Sequence, residues 1–389
     1  MKKVLMIAYY FPPAAGVGTF RIAKFVKYLP CFHWKPIVLT VKTSNYRKLD
    51  ETLIADLPRD IEIYRTGIAR LPMNEVGMRW LPILIKESKK IIEREKIDIV
   101  YFTGGPFFQW RASPIIKRKC KIPYVIDFRD PWVLSPYKNK SKGLKKNIGE
   151  FLSKRWEPLV IENTARVIFA TKEMEELYSA KYPSYKQKFL TIENGYDPDD
   201  YRDISPKDFS TFSIVYTGKM SYYRNPKSFF EALRLVKDRI NFQFFYVGEV
   251  ELILEKLVTE KGLKDRVIFT GLKLYKEAIS YSKGADILVL ITRGSKIEFT
   301  QKVFDYISCN KPIIAIANRK SAVAKFLNNF ENSFVIENDP QAIKDAIIKI
   351  YKNRLTNLGV KDRKKILKYH RKNLTQKLAS VFNETIKSQ

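Results

Sequence analysis

Apolar runs of strand length alternate with segments of helical period along the whole chain. This alternation is typical of parallel sheets whose strands are joined by crossover helices. The runs in the first half are Val4–Ala8, Pro36–Val41, Ile61–Tyr64, Ile97–Thr103, Tyr124–Phe128 and Val167–Ala170. Those in the second half are Ser213–Thr217, Gln243–Val247, Val267–Thr270, Ile287–Ile291 and Pro312–Ile316. The pattern predicts an α/β chain with two Rossmann-like, doubly wound parallel sheets.

The length of 389 residues predicts two domains, because a single domain usually holds roughly 100–200 residues. A polar, proline-containing stretch from Asn194 to Ser210 separates the two series of strands and is the best linker candidate. We predict an N-terminal domain at 1–200, a second domain at 211–365, and a C-terminal helix at 366–389 that packs back toward the first domain. Because ligands bind beyond the carboxyl ends of parallel strands, we expect the two domains to face each other across a cleft.

Cysteine usage and hydropathy predict a cytoplasmic protein. Cys31, Cys120 and Cys309 are far apart and odd in number, which disfavours a disulfide framework and a CxxC metal site. Prolines interrupt the apolar start of the chain, so we expect a first strand there and not a leader peptide. No window approaches the ~20 apolar residues of a membrane-spanning helix.

The formal net charge of +30 predicts a polyanionic partner or an anionic membrane surface, unless it serves only solubility. Part of the excess lies in Tyr137–Arg155 and Lys361–Gln389. The segment Met78–Ile92 has one apolar face with Trp80 near its start, which fits either an interfacial helix or a core-facing helix. We therefore hypothesise peripheral membrane association. A nucleic-acid-binding protein is the alternative from another class, but no motif of that kind is present, so we expect no nucleic-acid partner.

The stretch YYFPPAAGVGTFR follows the first predicted strand and contains Gly16 and Gly18. Arg21 stands where a dinucleotide fingerprint needs a third glycine or alanine, and the second strand ends without an acid, which disfavours a nicotinamide cofactor. The glycine pair would let backbone amides approach a phosphate or a sugar hydroxyl at a helix N-terminus. The alternative is a tight turn that needs glycine only for its geometry.

A charged cluster follows the strand Tyr124–Phe128 and contains Asp127, Arg129 and Asp130 beside Trp132. Charges at a strand end are costly unless they are paired or used. One carboxylate would bind sugar hydroxyls or take the proton of an acceptor, and Trp132 would stack on a sugar face. The alternative is an internal ion pair between Arg129 and a carboxylate.

The loop after Ser213–Thr217 carries Gly218, Lys219 and Arg224 just ahead of a helix whose first position is predicted to be Pro226. Two cations at this place suit a diphosphate and would neutralise charge on a departing nucleotide. The alternative is a chance occurrence of cations in a basic chain.

A third cluster follows the strand Ile287–Ile291. Thr300 is predicted to cap the next helix and to offer its first free amides to phosphate. Asp305 lies further along that helix, where a carboxylate would reach ribose hydroxyls. A plain solvent-exposed helix position is the alternative for Asp305.

These motifs resemble, over most of the chain, the bacterial glycosyltransferases of family 4, which have the GT-B fold. The matching pieces are YYFPPAAGVGTFRIAKFVKYLP, HWKPIVLT, DFRDPW, ENGYD, YTGKM, VGE, FTG and TQKVFDYISCNKPIIA. The resemblance implies retaining transfer of a sugar, of hexosyltransferase type, from a nucleotide-diphosphate donor to a glycan or a polyprenyl-linked acceptor in cell-surface polysaccharide or lipopolysaccharide synthesis. It places the nucleotide mainly on the C-terminal domain and the acceptor on the N-terminal one. An epimerase of the same fold that acts on a nucleotide sugar without an acceptor remains the closer alternative.

Residues and resemblance together assign three groups of site residues. The predicted donor-binding residues are Gly16, Gly18, Gly218, Lys219, Arg224, Gly248, Gly271, Leu272, Glu298, Thr300, Gln301, Lys302 and Asp305. The predicted acceptor-binding residues are Arg21, Arg129 and Trp132. The predicted catalytic residues are Asp127, Asp130, Lys219 and Arg224.

The chain departs from the family pattern at two places. The family often has two glutamates separated by seven residues; here Asp305 replaces the second, Ile297 stands at the position of the first, and Glu298 is one place off. Some relatives carry a histidine after the fifth strand, whereas this chain has only His33 and His370, so Asp127 or Asp130 would do comparable work.

We expect no cofactor and no required metal. The sequence Asp197-Pro198-Asp199-Asp200 has the spacing of a D-x-D metal motif, but it lies in the predicted linker. A clamp of lysine and arginine makes a divalent cation unnecessary for neutralising the diphosphate.

Overall fold

A computed structural model describes residues 1–73, 75–135, 144–220, 224–359 and 366–388. The chain folds as two compact units, one formed by Met1–Asn194 with Arg371–Gln389 and the other by Gly195–His370. Residues 221–223 of the loop that carries Lys219 and Arg224, and parts of both basic stretches, lie outside the described residues.

The first unit contains a parallel sheet of seven described strands in the order β3-β2-β1-β4-β5-β6-β7. The strands are β1 (Lys2–Ile7), β2 (Trp34–Val41), β3 (Glu62–Thr66), β4 (Ile99–Thr103), β5 (Tyr124–Phe128), β6 (Arg166–Phe169) and β7 (Phe189–Thr191). The strands β4 and β5 are buried along their whole length, because both faces of the sheet are covered. Adjacent β1 and β4 form the point where the strand order reverses.

The second unit contains a parallel sheet of six described strands in the order β10-β9-β8-β11-β12-β13. The strands are β8 (Phe212–Thr217), β9 (Phe242–Val247), β10 (Val267–Gly271), β11 (Ile287–Ile291), β12 (Ile313–Ile316) and β13 (Ser333–Ile336). The order reverses between adjacent β8 and β11. The predicted fold class, two Rossmann-like parallel-sheet domains of the GT-B type, is confirmed.

Helices connect the strands in both units. In the first unit they are α1 (Val17–Tyr28), α2 (Val76–Glu95), α3 (Ala112–Cys120), α4 (Leu144–Asn163) and α5 (Lys172–Lys181). In the second they are α6 (Lys227–Val236), α7 (Leu252–Glu260), α8 (Tyr275–Gly284), α9 (Lys302–Ser308), α10 (Ala322–Leu327) and α11 (Pro340–Lys352). The last helix, α12 (Arg371–Lys387), belongs to the first unit, where Leu374, Leu378 and Phe382 share a core with Phe25 and Trp34.

The structure contradicts the hypothesis that Met78–Ile92, which lies within helix α2, is an interfacial helix. Trp80 and Leu84 are fully buried, and Ile91 and Ile92 also belong to the core of the first unit. The apolar face therefore packs inward, which is the alternative that the sequence left open. Among the described residues, no helix combines the length and the hydropathy needed to cross a bilayer.

Candidate active site

The loops that follow β8 and β11 leave neighbouring strands where the strand order of the second sheet reverses. Ligands of open α/β sheets bind at such a point, beyond the carboxyl ends of the strands. The loop after β8 carries Gly218, and the loop after β11 leads to the helix α9. The topology thus brings together two of the sequence clusters predicted to bind the donor.

Gly218 and Gly248 make a close backbone contact between the loops after β8 and β9. Gly218 has a φ of 82°, in the left-handed region that favours glycine, and its amide donates to the Val247 carbonyl at 2.7 Å. A Cβ on Gly248 would lie only 2.5 Å from the Gly218 carbonyl oxygen. Both positions therefore require glycine, and the two predicted donor-binding glycines lie side by side.

Lys302, the first residue of α9, points toward the same loop. Its Nζ lies 3.7 Å from the centre of the Tyr216 ring, and a Cβ built on Gly218 would lie 3.6 Å from that Nζ. Lys302 makes no ion pair with any described residue. Burial, helped by the positive charge of Arg224, holds the pKa of Lys302 well below its ordinary value. The negative charges of Asp305 and Glu298 oppose this shift without forming an ion pair with the lysine. A partly buried ammonium that has no ion pair is a place where an anion would bind favourably.

Arg224 is fixed at the carboxyl end of β11. Its guanidinium donates to the carbonyl of Ile291 and forms an ion pair of 3.1 Å with Glu298. The other carboxylate oxygen of Glu298 accepts a hydrogen bond of 2.7 Å from the Arg293 amide. Glu298 thus lies in the site, one place away from the family pattern, and it positions Arg224. Only one nitrogen of the Arg224 guanidinium has a described partner, so other donors remain for a ligand.

Asp305 is held by two tyrosines that sequence reasoning missed. Its Oδ1 accepts hydrogen bonds of 2.9 Å from the hydroxyls of Tyr201 and Tyr275. Burial raises the pKa of Asp305, and these hydrogen bonds oppose the rise. The alternative of a plain solvent-exposed helix residue is wrong for Asp305. No local signal pairs Tyr201 with a residue 104 positions away.

The start of α9 differs from the prediction. The N-cap is Gln301, it makes no capping hydrogen bond, and Thr300 is therefore not the cap. The amides of Val303 and Phe304 donate to the carbonyls of Thr300 and Gln301, so they are not free for phosphate. The Gln301 side chain instead donates to the Gly195 carbonyl at 3.0 Å. At this helix the group that faces the loop is the Lys302 ammonium.

Lys219 and Leu272 are the more exposed of the predicted donor-binding residues. Lys219 is 60% exposed and forms an ion pair of 3.1 Å with Glu251, an acid in the loop after β9. Leu272 is 60% exposed and follows Gly271, whose φ is 74°. Donor binding by Lys219 and Leu272 stays a prediction. The start of α6 differs from the prediction by one position, because Pro226 is its N-cap and not its first residue.

In the first unit, Arg21 and Asp127 form a buried bidentate ion pair. The Arg21 Nε donates to Asp127 Oδ2 at 2.9 Å, and its Nη2 donates to Oδ1 at 2.8 Å. The remaining Arg21 protons go to the Ile192 and Glu193 carbonyls and to the Asn194 side chain. Burial raises the pKa of Asp127, but the charge and hydrogen bonds of Arg21 outweigh it and leave that pKa lowered.

This pair corrects two predictions. All five N–H groups of Arg21 have protein partners, and the Asp127 side chain is fully buried. Arg21 therefore has no donor left for an acceptor, and Asp127 has no surface from which to take a proton. The sequence analysis included an internal ion pair as the alternative, but with Arg129 as its cation. In the structure that arginine donates to the carbonyls of Gly18 and Gly104 instead.

Trp132 is a core residue, which corrects its predicted role of stacking on a sugar. It is 7% exposed, lies parallel to the Phe107 ring at 6.1 Å, and meets Trp110 edge-on at 5.7 Å. Its indole N–H donates to the Ser153 hydroxyl at 3.1 Å. No face of the ring is left for a sugar.

Tyr10 is an exposed aromatic residue that sequence reasoning did not assign. It follows β1 and is 41% exposed, and its ring stacks on Tyr46 with the ring centres 6.3 Å apart. A Cβ on Gly18 would lie 3.5 Å from Tyr10, so the tyrosine borders the glycine loop, in which Gly16 has a φ of 120°. Asp130 is also exposed, after β5. These residues lie at the carboxyl-end edge of the first sheet.

The acids of the linker motif serve local structure. Asp197 is buried and caps a short 3-10 helix by accepting from the Asp199 amide. Asp199 forms an exposed ion pair of 2.7 Å with Arg202.

Comparison with known proteins agrees with this architecture in both units. Residues 26–200 match the family model described as Glycosyltransferase Family 4, and residues 211–353 match that described as Glycosyl transferases group 1. No curated protein matches this chain in sequence.

Three solved structures illustrate the fold. The sucrose-phosphate synthase from Thermosynechococcus elongatus superposes with a TM-score of 0.77 at 16% identity, covering 100% of both chains. Anabaena HepE, solved with UDP-glucose, has a TM-score of 0.64 at 16% identity and covers 100% of this chain and 99% of its own. The UDP-GlcNAc 2-epimerase from Methanocaldococcus jannaschii has a TM-score of 0.61 at 11% identity, covering 99% of this chain and 100% of its own.

Two parallel α/β units with loops at both switch points define the GT-B fold. The family matches then fix the membership: the chain belongs to the glycosyltransferases, with residues 26–200 matching family 4 and residues 211–353 matching group 1.

Proposed function

We propose that the chain is a retaining glycosyltransferase that uses a nucleoside diphosphate sugar. In this reaction the bond from the anomeric carbon to the diphosphate breaks, and an acceptor hydroxyl forms a new bond to that carbon. The products are the glycosylated acceptor, a nucleoside diphosphate and the proton of the hydroxyl. The observation that carries the proposal is the pair of cations, Arg224 and Lys302, at the switch point of the second sheet.

The diphosphate is the proposed ligand of these two cations. Lys302 forms no ion pair with a described residue, and the described contacts of Arg224 use only one nitrogen of its guanidinium. Fixed cations in a partly buried site are effective at stabilising the charge that develops on a departing diphosphate. Lys219 is proposed as a third, more exposed cation that exchanges Glu251 for phosphate.

Asp305 is proposed to bind the ribose. Its carboxylate is oriented by Tyr201, Tyr275 and Gln301. A carboxylate accepts about four hydrogen bonds, so it can also accept one from a sugar hydroxyl. Gly218 provides exposed backbone beside the cations, with the buried Gly248 packed against it, and Leu272 offers an apolar surface to the base. UDP is the first nucleotide to test, since HepE was solved with UDP-glucose.

The acceptor is proposed to be a glycan or a lipid-linked sugar bound by the first unit. Tyr10 takes the stacking role that was predicted for Trp132, because its ring is exposed beside the glycine loop. Asp130 replaces Asp127 as the proposed acceptor base. The net charge of +30 supports peripheral binding to an anionic membrane, which flotation with anionic and neutral liposomes tests at low salt.

A panel of UDP-, GDP- and ADP-sugars in a thermal-shift assay tests the donor proposal, because a ligand of the native state raises the Tm. We expect one nucleotide family to raise the Tm of the wild type and of Lys256→Met, and to raise that of Lys302→Met by less at the same concentration. Lys256 is an exposed lysine on α7 of the same unit, so this control removes the same charge elsewhere. A shift of the same size in Lys302→Met would contradict the proposed site.

An epimerase is the second candidate, because enzymes of that kind share the fold. The two are separated by incubating the donor with and without acceptor glycans and measuring free nucleoside diphosphate. A transferase releases it in step with acceptor consumption, and the anomeric coupling in the product reports retention. An epimerised nucleotide sugar formed without acceptor would support the second candidate.

A further inference from the structure

A cavity of about 400 Å³ opens at the amino-end edge of the first sheet. Tyr124, the first residue of β5, and Arg166, the first residue of β6, both line it. Substrate sites of parallel sheets lie at the opposite, carboxyl-end edge. The cavity is therefore separate from the loops of this unit that are proposed to bind the acceptor.

Three cations converge on this cavity: Lys117 from α3, Arg166 from β6, and Lys188 just before β7. None of the three forms an ion pair with a described residue. Burial lowers the pKa of Lys188 and the neighbouring charge of Lys117 lowers it further, while the charge of Glu162 opposes this only in part. Three like charges around one cavity are unfavourable unless an anion is bound between them.

The C-terminus of α4 explains only part of this arrangement. Lys117 donates to the Asn163 carbonyl at 2.9 Å and Lys188 donates to the Glu162 carbonyl, which satisfies the end of that helix. Each contact uses one of three ammonium protons. Arg166 bonds only to the Ala165 carbonyl, at 3.1 Å, so most of its donors have no described partner.

We propose that this cavity is a second ligand site that binds a phosphate group through Lys117, Arg166 and Lys188. The volume exceeds that of a phosphate ion, so the cavity can also admit a phosphate group that is part of a larger molecule. Two sources supply this chemistry, a soluble phosphorylated metabolite and the phosphate headgroup of an anionic lipid.

Titration calorimetry with inorganic phosphate tests the site, and it is run in Lys302→Met so that the proposed donor site does not contribute. The test variant adds Lys117→Met and Lys188→Met, and the control adds Lys119→Met, an exposed lysine on the same helix as Lys117. We expect the test variant to bind phosphate at least about tenfold more weakly than the control. Replacing both lysines by arginine keeps the charges and is expected to retain binding. Equal affinity in the test variant and the control, or no binding in the parent, overturns the proposal.

A flotation assay with phosphatidylcholine vesicles, with and without phosphatidic acid, separates the two sources. Phosphate binding without capture on phosphatidic acid vesicles assigns the site to a soluble metabolite. Capture that the two methionine substitutions reduce, while Lys119→Met does not, assigns it to a lipid headgroup. Capture that both variants retain shows that the net charge acts alone and overturns the lipid assignment. The phosphate result is independent of the donor proposal, so either can fail alone.

Discussion

The two units use charged residues after their strands in opposite ways. In the first unit, every N–H of Arg21 has a protein acceptor and Asp127 is fully buried. In the second unit, Lys302 forms no ion pair with a described residue, and a single nitrogen of Arg224 makes all of its described contacts. Charged groups whose hydrogen bonds are all made within the protein (saturated) stabilise the fold. Charged groups with unused hydrogen-bonding capacity (unsaturated) are available to bind a ligand. Each prediction below tests one side of this difference.

The largest expected effect is the loss of the saturated pair. Arg21→Met leaves the Asp127 carboxylate buried without a counter-ion, which should lower the free energy of unfolding of the first unit by about 3–5 kcal/mol. All five tryptophans (Trp34, Trp80, Trp110, Trp132 and Trp156) lie in that unit. Their fluorescence in a urea titration therefore reports on it alone.

The control for this variant is Lys172→Met, which removes an exposed ion pair with Glu175 and should cost less than about 1 kcal/mol. Since the pKa of Asp127 is lowered in the folded state, the stabilisation by the pair is present above the ordinary carboxyl pKa. It is lost as the pH falls through the lowered value. A wild-type urea midpoint for Arg21→Met would refute the structural role.

The next largest effect is on the unsaturated side. Lys302→Met should weaken binding of the nucleoside diphosphate by roughly 10- to 150-fold. This range corresponds to the loss of one hydrogen bond to a charged group, which contributes about 1.5–3 kcal/mol. The tryptophan unfolding midpoint should not change, because Lys302 belongs to the second unit. Calorimetry measures the affinity, with Lys256→Met as the control. A loss of stability without a loss of affinity would make Lys302 a structural residue.

The affinity should also depend on pH through Lys302. Burial lowers the pKa of this lysine, so the free protein loses the ammonium as the pH rises through that lowered value. A diphosphate binds the ammonium form, and above this pKa binding must therefore take up a proton and becomes weaker. Calorimetry in buffers of different ionisation enthalpy measures the uptake. Lys302→Arg stays charged and should abolish this uptake; proton uptake that persists in it would assign the effect to another group.

A smaller effect is expected at Asp305. Tyr275→Phe removes one of the two hydroxyls that orient this carboxylate, which should weaken nucleotide binding about 2- to 12-fold, or about 0.5–1.5 kcal/mol. Tyr281→Phe, on the same helix, is the matched control. The comparison of a nucleoside diphosphate with inorganic pyrophosphate sharpens the test, because only the nucleotide has a ribose. Equal weakening of both ligands would contradict a ribose contact.

The smallest effect is expected at Asp199, whose ion pair with Arg202 is exposed. Asp199→Ala should change neither nucleotide affinity nor the Tm by a measurable amount, because exposed ion pairs are worth about 0–1 kcal/mol. Activity is compared with and without EDTA in both proteins. A loss of activity that Mg²⁺ restores would instead indicate a metal role for this stretch.

The sequence was sufficient for most of the fold. Long apolar runs identified eleven strands because both faces of each parallel sheet are buried. The strands β7 and β13 were missed, because both are short edge strands that are only partly buried and therefore lack a clear apolar run. The helix α2 was ambiguous, because a core-facing apolar stripe and an interfacial one have the same spacing.

Site residues could be predicted only where their position directly after a strand was visible in the sequence. Gly218, Arg224 and Lys302 were named because they follow strands in the sequence. The pairing of Arg21 with Asp127 spans 106 positions, and the contact of Tyr201 with Asp305 spans 104. Such partners are set by strand order and not by neighbouring residues, so a residue type at a strand end does not reveal whether its charge is already satisfied.

A crystal structure of the protein with a bound nucleoside diphosphate would show whether Lys302 and Arg224 bind the diphosphate. We expect oxygens of the diphosphate to lie about 2.7–3.2 Å from Lys302 Nζ and from the Arg224 guanidinium, while the pair of Arg21 and Asp127 stays intact. A diphosphate bound elsewhere, with Lys302 and Arg224 both out of hydrogen-bonding distance, would contradict it.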